Sequence, residues 1–440
     1  MLLSQVSEIH ARRRKAWMQS HPTGLLIAPG NIEATRNGSV TYPFRQDSTL
    51  HYLTGYPEAE AILVLAPAGK ASKARSILFV RRREVERELW DGERYGVERA
   101  RSIFGVDEAF ALEEFEQRLP GLIADASEVH FAINHPRKLE NVVLSAMEAA
   151  KKLRARTSAQ PLTLHDPSVS VGEMRIIKSE EEAQLMRRAA QISAETHLEV
   201  MKAVRPGMNE AEVEGLLEFG FRKRGSKRHA YESIVAVGKN ATCLHYRDNN
   251  EELRDGELLL IDAAGEYGMY ASDITRTYPV GRKFSEPQAR LYDIVLRAQK
   301  EGIALARPGV TIEEVHFKCV DVLVDGLIEL GLLQGKRSEL VQAAAHRRFY
   351  PHNTSHWLGL DVHDSGAYRE QGGSRVLKPG MVITIEPGLY VQPNDTVAAA
   401  EYRGIGIRIE DDVLITDHGN EVMTAAVPKE RKDVEAARAG

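Results

Sequence analysis

LRDGELLLID, residues 253–262, and LKPGMVITIE, residues 377–386, decide how the second half of this 440-residue chain folds. Each opens on leucine, places a glycine three residues later, runs through an apolar stretch and ends in a carboxylate. A short apolar run bounded by turn residues reads as a buried strand. Upstream, RPGMNEAEV at 205–213 recurs as RPGVTIEEV at 307–315, with Arg, Pro, Gly, Glu and Val at the same offsets. In each copy a residue suited to capping, Asn209 or Thr311, precedes a helix. The same order, capped helix then strand, occurs twice. That predicts a pseudo-symmetric domain whose halves bring Asp262 and Glu386 together across an internal axis.

Ahead of this repeat, GLLIAP at 24–29, AILVLAP at 61–67, SILFV at 76–80 and VHFAI at 129–133 alternate with polar stretches such as Asp107 to Arg118, read as helical. The pattern predicts a mixed α/β domain. Ser179, with Glu182 three residues on, forms a capping box before a long amphipathic helix. We therefore divide the chain into an N-terminal α/β domain, 1–170, and a second domain, 171–440, and 440 residues are ample for two cores. Hydrophobic residues at 43% and charged residues at 28% describe an ordinary globular protein. The opening MLLSQVSEIHARRRKAWMQS is too charged for a secretory signal and reads as an amphipathic helix, with Arg12, Arg13, Arg14 and Lys15 as a short surface run. No run approaches a membrane span. The two cysteines, Cys243 and Cys319, suit neither a zinc site nor a disulfide framework, so a cytoplasmic location is expected. A net charge of −5 without a basic block argues against nucleic acid as partner.

Alternation along strands groups the acids. Asp262 shares a face with Leu258 and Leu260, and Glu386 with Val382 and Thr384. After a glycine-containing excursion the chain returns as SDITRTYPV, with Asp273 on the face of Thr275 and Thr277, and this spacing suits an adjacent antiparallel strand. In GIGIRIEDDVLIT, read as one strand, Gly406, Arg408 and Glu410 lie opposite the isoleucines. A single acid ending an apolar strand can simply mark the chain leaving the core. Four on four strands would repel one another unless a cation neutralised them. Oxygen-rich ligation without sulfur favours Mn(II), Fe(II) or Co(II), with Zn(II) an alternative, and the charge suffices for two ions. Two ions sharing carboxylates supply a hydroxide near neutral pH.

The settings IDAAGEYGMYASDITRT, HNTSHWLGLDVHD, TIEPGLY and GIRIEDD resemble those of the pita-bread metallopeptidases. HWLGLDVHD, EPGLY, YRGIGIRIEDD and the long N-terminal domain are most similar to the bacterial aminopeptidase P branch. The resemblance implies a creatinase-like N-terminal α/β domain before a pseudo-two-fold pita-bread domain, and a metal set of Asp262, Asp273, His356, Glu386 and Glu410. Glu386 would also shuttle the proton. His245 and His363 would hydrogen-bond the scissile peptide, His352 would line a proline pocket, and Arg408 would orient the carboxylates. Tyr390 and Trp90, the latter from another subunit, would line the substrate site; either could equally be an aromatic filling a core or an interface. The activity implied is release of the N-terminal residue from peptides with proline second, by a homotetramer or homodimer whose N-terminal domain narrows access. A prolidase confined to Xaa-Pro dipeptides is the nearest alternative, and a metal-free hydrolase or binding module on the same scaffold a more distant one.

In two places the chain departs from the family pattern. Asn353 stands where the family has glycine between the pocket histidine and Ser355; if that glycine has positive φ, asparagine tolerates it well, and an altered pocket rim is expected. The segment YREQGGSR, 368–375, is longer than its counterpart and would change a subunit contact.

Overall fold

The computed structural model describes residues 3–69, 73–135, 137–154 and 162–439. The chain forms two compact units, one ending at Gly172 and one beginning at Glu173.

In the first unit six strands form one mixed sheet, in the spatial order 108–111, 75–80, 62–66, 24–29, 128–131, 163–165. The central strand Gly24–Pro29 is buried on both faces, as its unbroken apolar run requires. Helix Leu3–Ser20 packs through His10, Arg14 and Trp17, one turn apart along a single stripe. Arg14 is therefore not part of a surface run. It is 2% exposed, and its guanidinium caps carbonyls of two other segments, Leu53 O at 2.7 Å and Phe104 O at 3.3 Å. The stretch from Asp107 to Arg118 also departs from expectation. Glu108–Ala111 is a strand, parallel to Arg75–Val80, and the helix begins only at Phe115. Asp107 explains the change, because its carboxylate accepts from the Ser76 backbone N–H and hydroxyl, both at 2.7 Å, and docks this segment onto the sheet edge.

The second unit carries the repeat. Asn209 and Thr311 each close a capping box, with Glu212 and Glu314, at the starts of helices Glu210–Lys223 and Ile312–Glu329. The two glycines ahead of them have φ of 88° at Gly207 and 89° at Gly309, a left-handed turn that a β-carbon would strain. Gly207 N–H donates to Leu253 O and Gly309 N–H to Leu377 O, while Leu253 and Leu377 donate back to Met208 and Val310. The residues that open the two decisive stretches thus make the same hydrogen bonds in the two halves. Ser179 and Glu182 form their capping box at the head of helix Glu180–Ala203, which packs against Glu210–Lys223 as Glu286–Leu305 packs against Ile312–Glu329.

Each half contributes a three-stranded antiparallel sheet. One joins Ile234–Val237, Leu258–Asp262 and Thr275–Pro279. The other joins Val382–Ile385, Asp411–Thr416 and Gly419–Val422. GIGIRIEDDVLIT is not one continuous strand. Gly406–Arg408 pairs with Gly388–Tyr390, Asp411–Thr416 pairs with Val382–Ile385, and the chain bends between them at Ile409 and Glu410. A buried ion cluster fixes that bend. Arg276, wholly inaccessible, donates to Glu410 O at 2.5 Å, Thr275 O at 3.0 Å and Asp411 Oδ1 at 2.7 Å, while Lys429 reaches Asp411 Oδ2 at 2.6 Å. Removing one member would strand a buried charge, at a cost of about 3–5 kcal/mol.

Candidate metal centre

Strand pairing does most of the assembly. Asp262 ends its strand opposite Thr275, two residues beyond Asp273. Glu410 N–H donates to Thr275 O at 3.0 Å, and Arg408 exchanges hydrogen bonds with the Thr277 hydroxyl, so the bend at Glu410 is sewn to the strand of the other half. Glu386 follows strand Val382–Ile385, and His356 is held beside it by reciprocal bonds with Thr384: His356 N–H to the hydroxyl at 3.1 Å, and Thr384 N–H to His356 O at 3.1 Å.

Asp273, His356 and Glu410 each present a ligand atom within 4.8 Å of the others. His356 Nδ1 bonds to Trp357 O at 3.0 Å, which leaves Nε2 facing Asp273 Oδ2 at 3.4 Å and Glu386 Oε1 at 3.6 Å. A backbone acceptor on one ring nitrogen is the usual way of aiming the other at a metal. Asp262 joins through Tyr231, whose hydroxyl bridges Asp262 Oδ1 at 2.6 Å and Asp273 Oδ1 at 2.5 Å, and through Arg408, which donates to Asp262 Oδ2 at 2.6 Å. Thr275 donates to Glu410 Oε2 at 2.6 Å.

The electrostatics of the donors fit a divalent cation. Burial, with the charges of its acidic neighbours, lifts Glu410 well above the usual carboxylate range. Burial lifts Glu386 to about 8, although His356 and Arg408 pull it down. Asp273 is raised by burial despite its contact with His356. Burial would lower His356, but the hydrogen bond to Asp273 and the charges of Glu386 and Asp273 carry it up to about 9. Without a cation, the centre holds protons to offset its own charge. A divalent ion would take their place, and oxygen donors with one imidazole are a suitable set for it.

Around this cluster a cavity of about 1470 Å³ is lined by residues of the second unit, among them Asp262, Asp273, His356, Glu386, Arg408, Glu410, His245, His352 and His363. His363 meets His356 edge-to-face at 4.4 Å between ring centres. Arg408 Nη1 donates to the Tyr390 hydroxyl at 3.0 Å, and that hydroxyl lies 2.9 Å from His352 Nε2. With His352 Nδ1 bonded to Asn353 O at 2.8 Å, Nε2 is the acceptor in a directed chain from arginine through tyrosine to imidazole. Burial, reinforced by the Arg408 charge, pushes His352 down to about 3, so the ring is neutral. Asn353 does not take a positive φ, so the backbone there needs no glycine. Trp90 sits in the first unit on helix Val85–Asp91, 86% exposed, and fills no core. The loop at 368–375 forms a two-residue hairpin, Arg369–Glu370 against Gly373–Ser374.

Strand patterning did not single out Tyr231 or Asp412, and it placed Thr275 and Thr384 only on the faces of Asp273 and Glu386. Asp412, fully buried, accepts from the Ser272 hydroxyl at 2.7 Å and from the Asp273 N–H at 3.0 Å, and so supports Asp273 from behind. Tyr231 left one usable trace. It lies three residues before Ile234, and Ile234 pairs with Asp262.

A pseudo-symmetric domain whose two halves supply buried carboxylates and one imidazole to a common cavity defines a metallopeptidase of the pita-bread class. The model of metallopeptidase family M24 matches residues 184–417, and that of the aminopeptidase P N-terminal domain matches residues 10–130; the chain belongs to family M24. It is 43% identical over 436 residues to the Xaa-Pro aminopeptidase of Escherichia coli, covering 99% of this chain and 98% of that one. Aminopeptidase PepP of Pseudomonas aeruginosa superposes with a TM-score of 0.93 at 42% identity, covering 100% of this chain and 98% of its own. Zinc-substituted Escherichia coli aminopeptidase P in complex with product gives the same TM-score of 0.93 at 43% identity, with 98% of each chain covered. Among the described residues no helix is long and apolar enough to cross a membrane.

Proposed function

We propose that the protein is an Xaa-Pro aminopeptidase, releasing the N-terminal residue from peptides whose second residue is proline. The observation that carries this reading is the neighbourhood of the acid cluster and the neutral His352 ring in one cavity, with Tyr390 and Arg408 hydrogen-bonded in line with that ring. Asp262, Asp273, His356, Glu386 and Glu410 would hold two divalent ions, assigned as Mn(II). When bound, these ions polarise the scissile carbonyl and lower the pKa of water.

The chain's own residues account for the rest. An Xaa-Pro bond has no N–H to grip, so recognition has to come from the carbonyl, the ring and the free amine. Glu386, beside the ions, takes a proton from the attacking water and passes it to the proline nitrogen. His363 and His245 donate to the substrate carbonyl as negative charge develops on its oxygen. The edge of His352 forms the proline wall, buried Tyr390 backs it through its hydroxyl, and Arg408 locks that pair and Asp262 into one arrangement. The first unit narrows access in a homotetramer or homodimer, and the exposed Trp90 reaches a neighbouring subunit's substrate there. A cytoplasmic location suits this peptide-processing role.

The test compares Xaa-Pro-Yaa, Xaa-Pro and Xaa-Ala-Yaa with Mn(II) added and removed. Cleavage of the first, weak action on the other two and dependence on the ion are expected. Equal turnover of Xaa-Ala-Yaa would overturn the reading, and turnover of the dipeptide alone would make the protein a prolidase.

A further inference from the structure

The cavity extends well beyond the acids and the proline wall. It also includes Ile312, His316 and Phe317 from helix Ile312–Glu329, and Val341, His346 and Arg347 from the segment before His352. At about 1470 Å³ it exceeds the usual range for a small-molecule site, and a dipeptide leaves this arm vacant.

Hydrogen bonding fixes the state of His316. Thr354 N–H donates to His316 Nδ1 at 3.3 Å, so Nδ1 is an acceptor and carries no proton. The Thr354 hydroxyl, 2.9 Å from the same nitrogen, must then donate to it, and Tyr350 OH, 2.7 Å away, must donate to Thr354 Oγ1. Burial, aided by the charges of His346 and Arg347, holds the imidazole down at about 4, so the ring is neutral with its only proton on Nε2. A three-residue relay thus sets a neutral N–H donor in the cavity wall. It is also tied to the centre, because Glu386 N–H donates to Thr354 O at 2.9 Å. Phe317, 47% exposed, supplies an apolar surface next to it. Arg347 and Glu313 in the same arm balance each other in charge, and a neutral donor pairs best with a neutral acceptor.

We infer that His316 Nε2–H and the face of Phe317 form a subsite for the residue after proline, with His316 donating to that residue's main-chain carbonyl. The inference rests on the aminopeptidase reading above and adds to it the residues that would hold the third position of the substrate.

The test uses the full-length Mn(II)-loaded protein and three substrates, Xaa-Pro-amide, Xaa-Pro-Yaa-amide and Xaa-Pro-Yaa with a free carboxylate. The readout is the kcat/KM of each longer substrate divided by that of Xaa-Pro-amide, which cancels any general disturbance of the centre. In His316→Ala both ratios should fall roughly three- to tenfold, mainly through KM, as expected for one lost hydrogen bond. Phe317→Ala, a surface change that leaves Thr354 untouched, should lower them in the same direction. Unchanged ratios in both variants, or a fall confined to the free-acid substrate, would overturn the inference. If wild type cleaves none of the three, the underlying aminopeptidase reading fails instead.

Discussion

Measured against the metal-loaded protein, the stripped protein should lose stability as pH rises from 6.5 to 8. The folded-state pKa of Glu386, about 8, stands above its ordinary value of 4.5 because burial disfavours its charge. Its contribution to stability is complete below 4.5 and disappears as pH climbs through 8. His356 is raised from 6.5 to about 9, against burial, by Asp273 and Glu386, so its contribution is complete below 6.5 and is lost through 9. Both act in the same direction over this window. His10, His197, His316 and His352, all held low chiefly by burial, act in the opposite direction; their effect is half spent at 6.5 and fades by about 7.5, so it offsets part of the loss in stripped and loaded protein alike, and the difference between the two isolates the centre. Because the centre is coupled, we count one excess proton in the folded state. That gives a slope of about 1.4 kcal/mol per pH unit, or roughly 2 kcal/mol over the window. For a unit of this size that share corresponds to about 4–8 °C of melting temperature. Ligands must be deprotonated to bind a cation, so loading with Mn(II) expels the same protons and stabilises more at higher pH. The assay is thermal unfolding of stripped and loaded protein at intervals between pH 6.5 and 8. The gap between the two melting temperatures should widen steadily, and a gap independent of pH would refute the electrostatic account of the centre.

Replacing Glu386 by Gln preserves shape but removes the carboxyl proposed to carry the proton, so kcat should drop by about 10²- to 10⁴-fold while the protein keeps its fold and much of its metal by elemental analysis. His356→Ala should reduce metal content, whereas His363→Ala should leave it near wild type and slow turnover. Tyr231→Phe removes the hydroxyl shared by Asp262 and Asp273 and should weaken metal affinity by about 10- to 100-fold in a chelator competition, with little change in melting temperature of the loaded protein. Asp364, 1% exposed at its side chain, accepts from Lys178 at 3.1 Å and from Arg175, and it tethers the turn that carries His363. Lys178→Met should therefore destabilise the fold by about 3–5 kcal/mol in denaturant unfolding, and an effect under about 1 kcal/mol would mean that Arg175 alone holds the turn.

Periodicity and spacing alone established a good deal. Two echoed stretches predicted paired helices and strands, and Leu253 and Leu377 make matching bonds because glycine, cap and strand start recur at the same separations. Period-2 alternation put a carboxylate at the end of each apolar face, since strand geometry leaves no other side for it. The motif settings around His356 and Glu386 pointed to the chemistry, because those residues are close in sequence to the strands that carry them.

Tertiary structure decided what depends on contacts between distant segments. The bend at Glu410 arises because Arg276, 135 residues away, and Lys429, 18 residues further on, converge on Asp411, and no local pattern encodes that. Arg14 looked like one charge in a basic run, yet its buried position is set by carbonyls at Leu53 and Phe104. Tyr231 joins two acids because strand register brings Ile234 opposite Asp262, and the proton on His316 Nε2 follows from Thr354, 38 residues further along. Local spacing determines which residues can face the same way. Only the closed network of hydrogen bonds among remote segments determines which of them meet and where their protons lie.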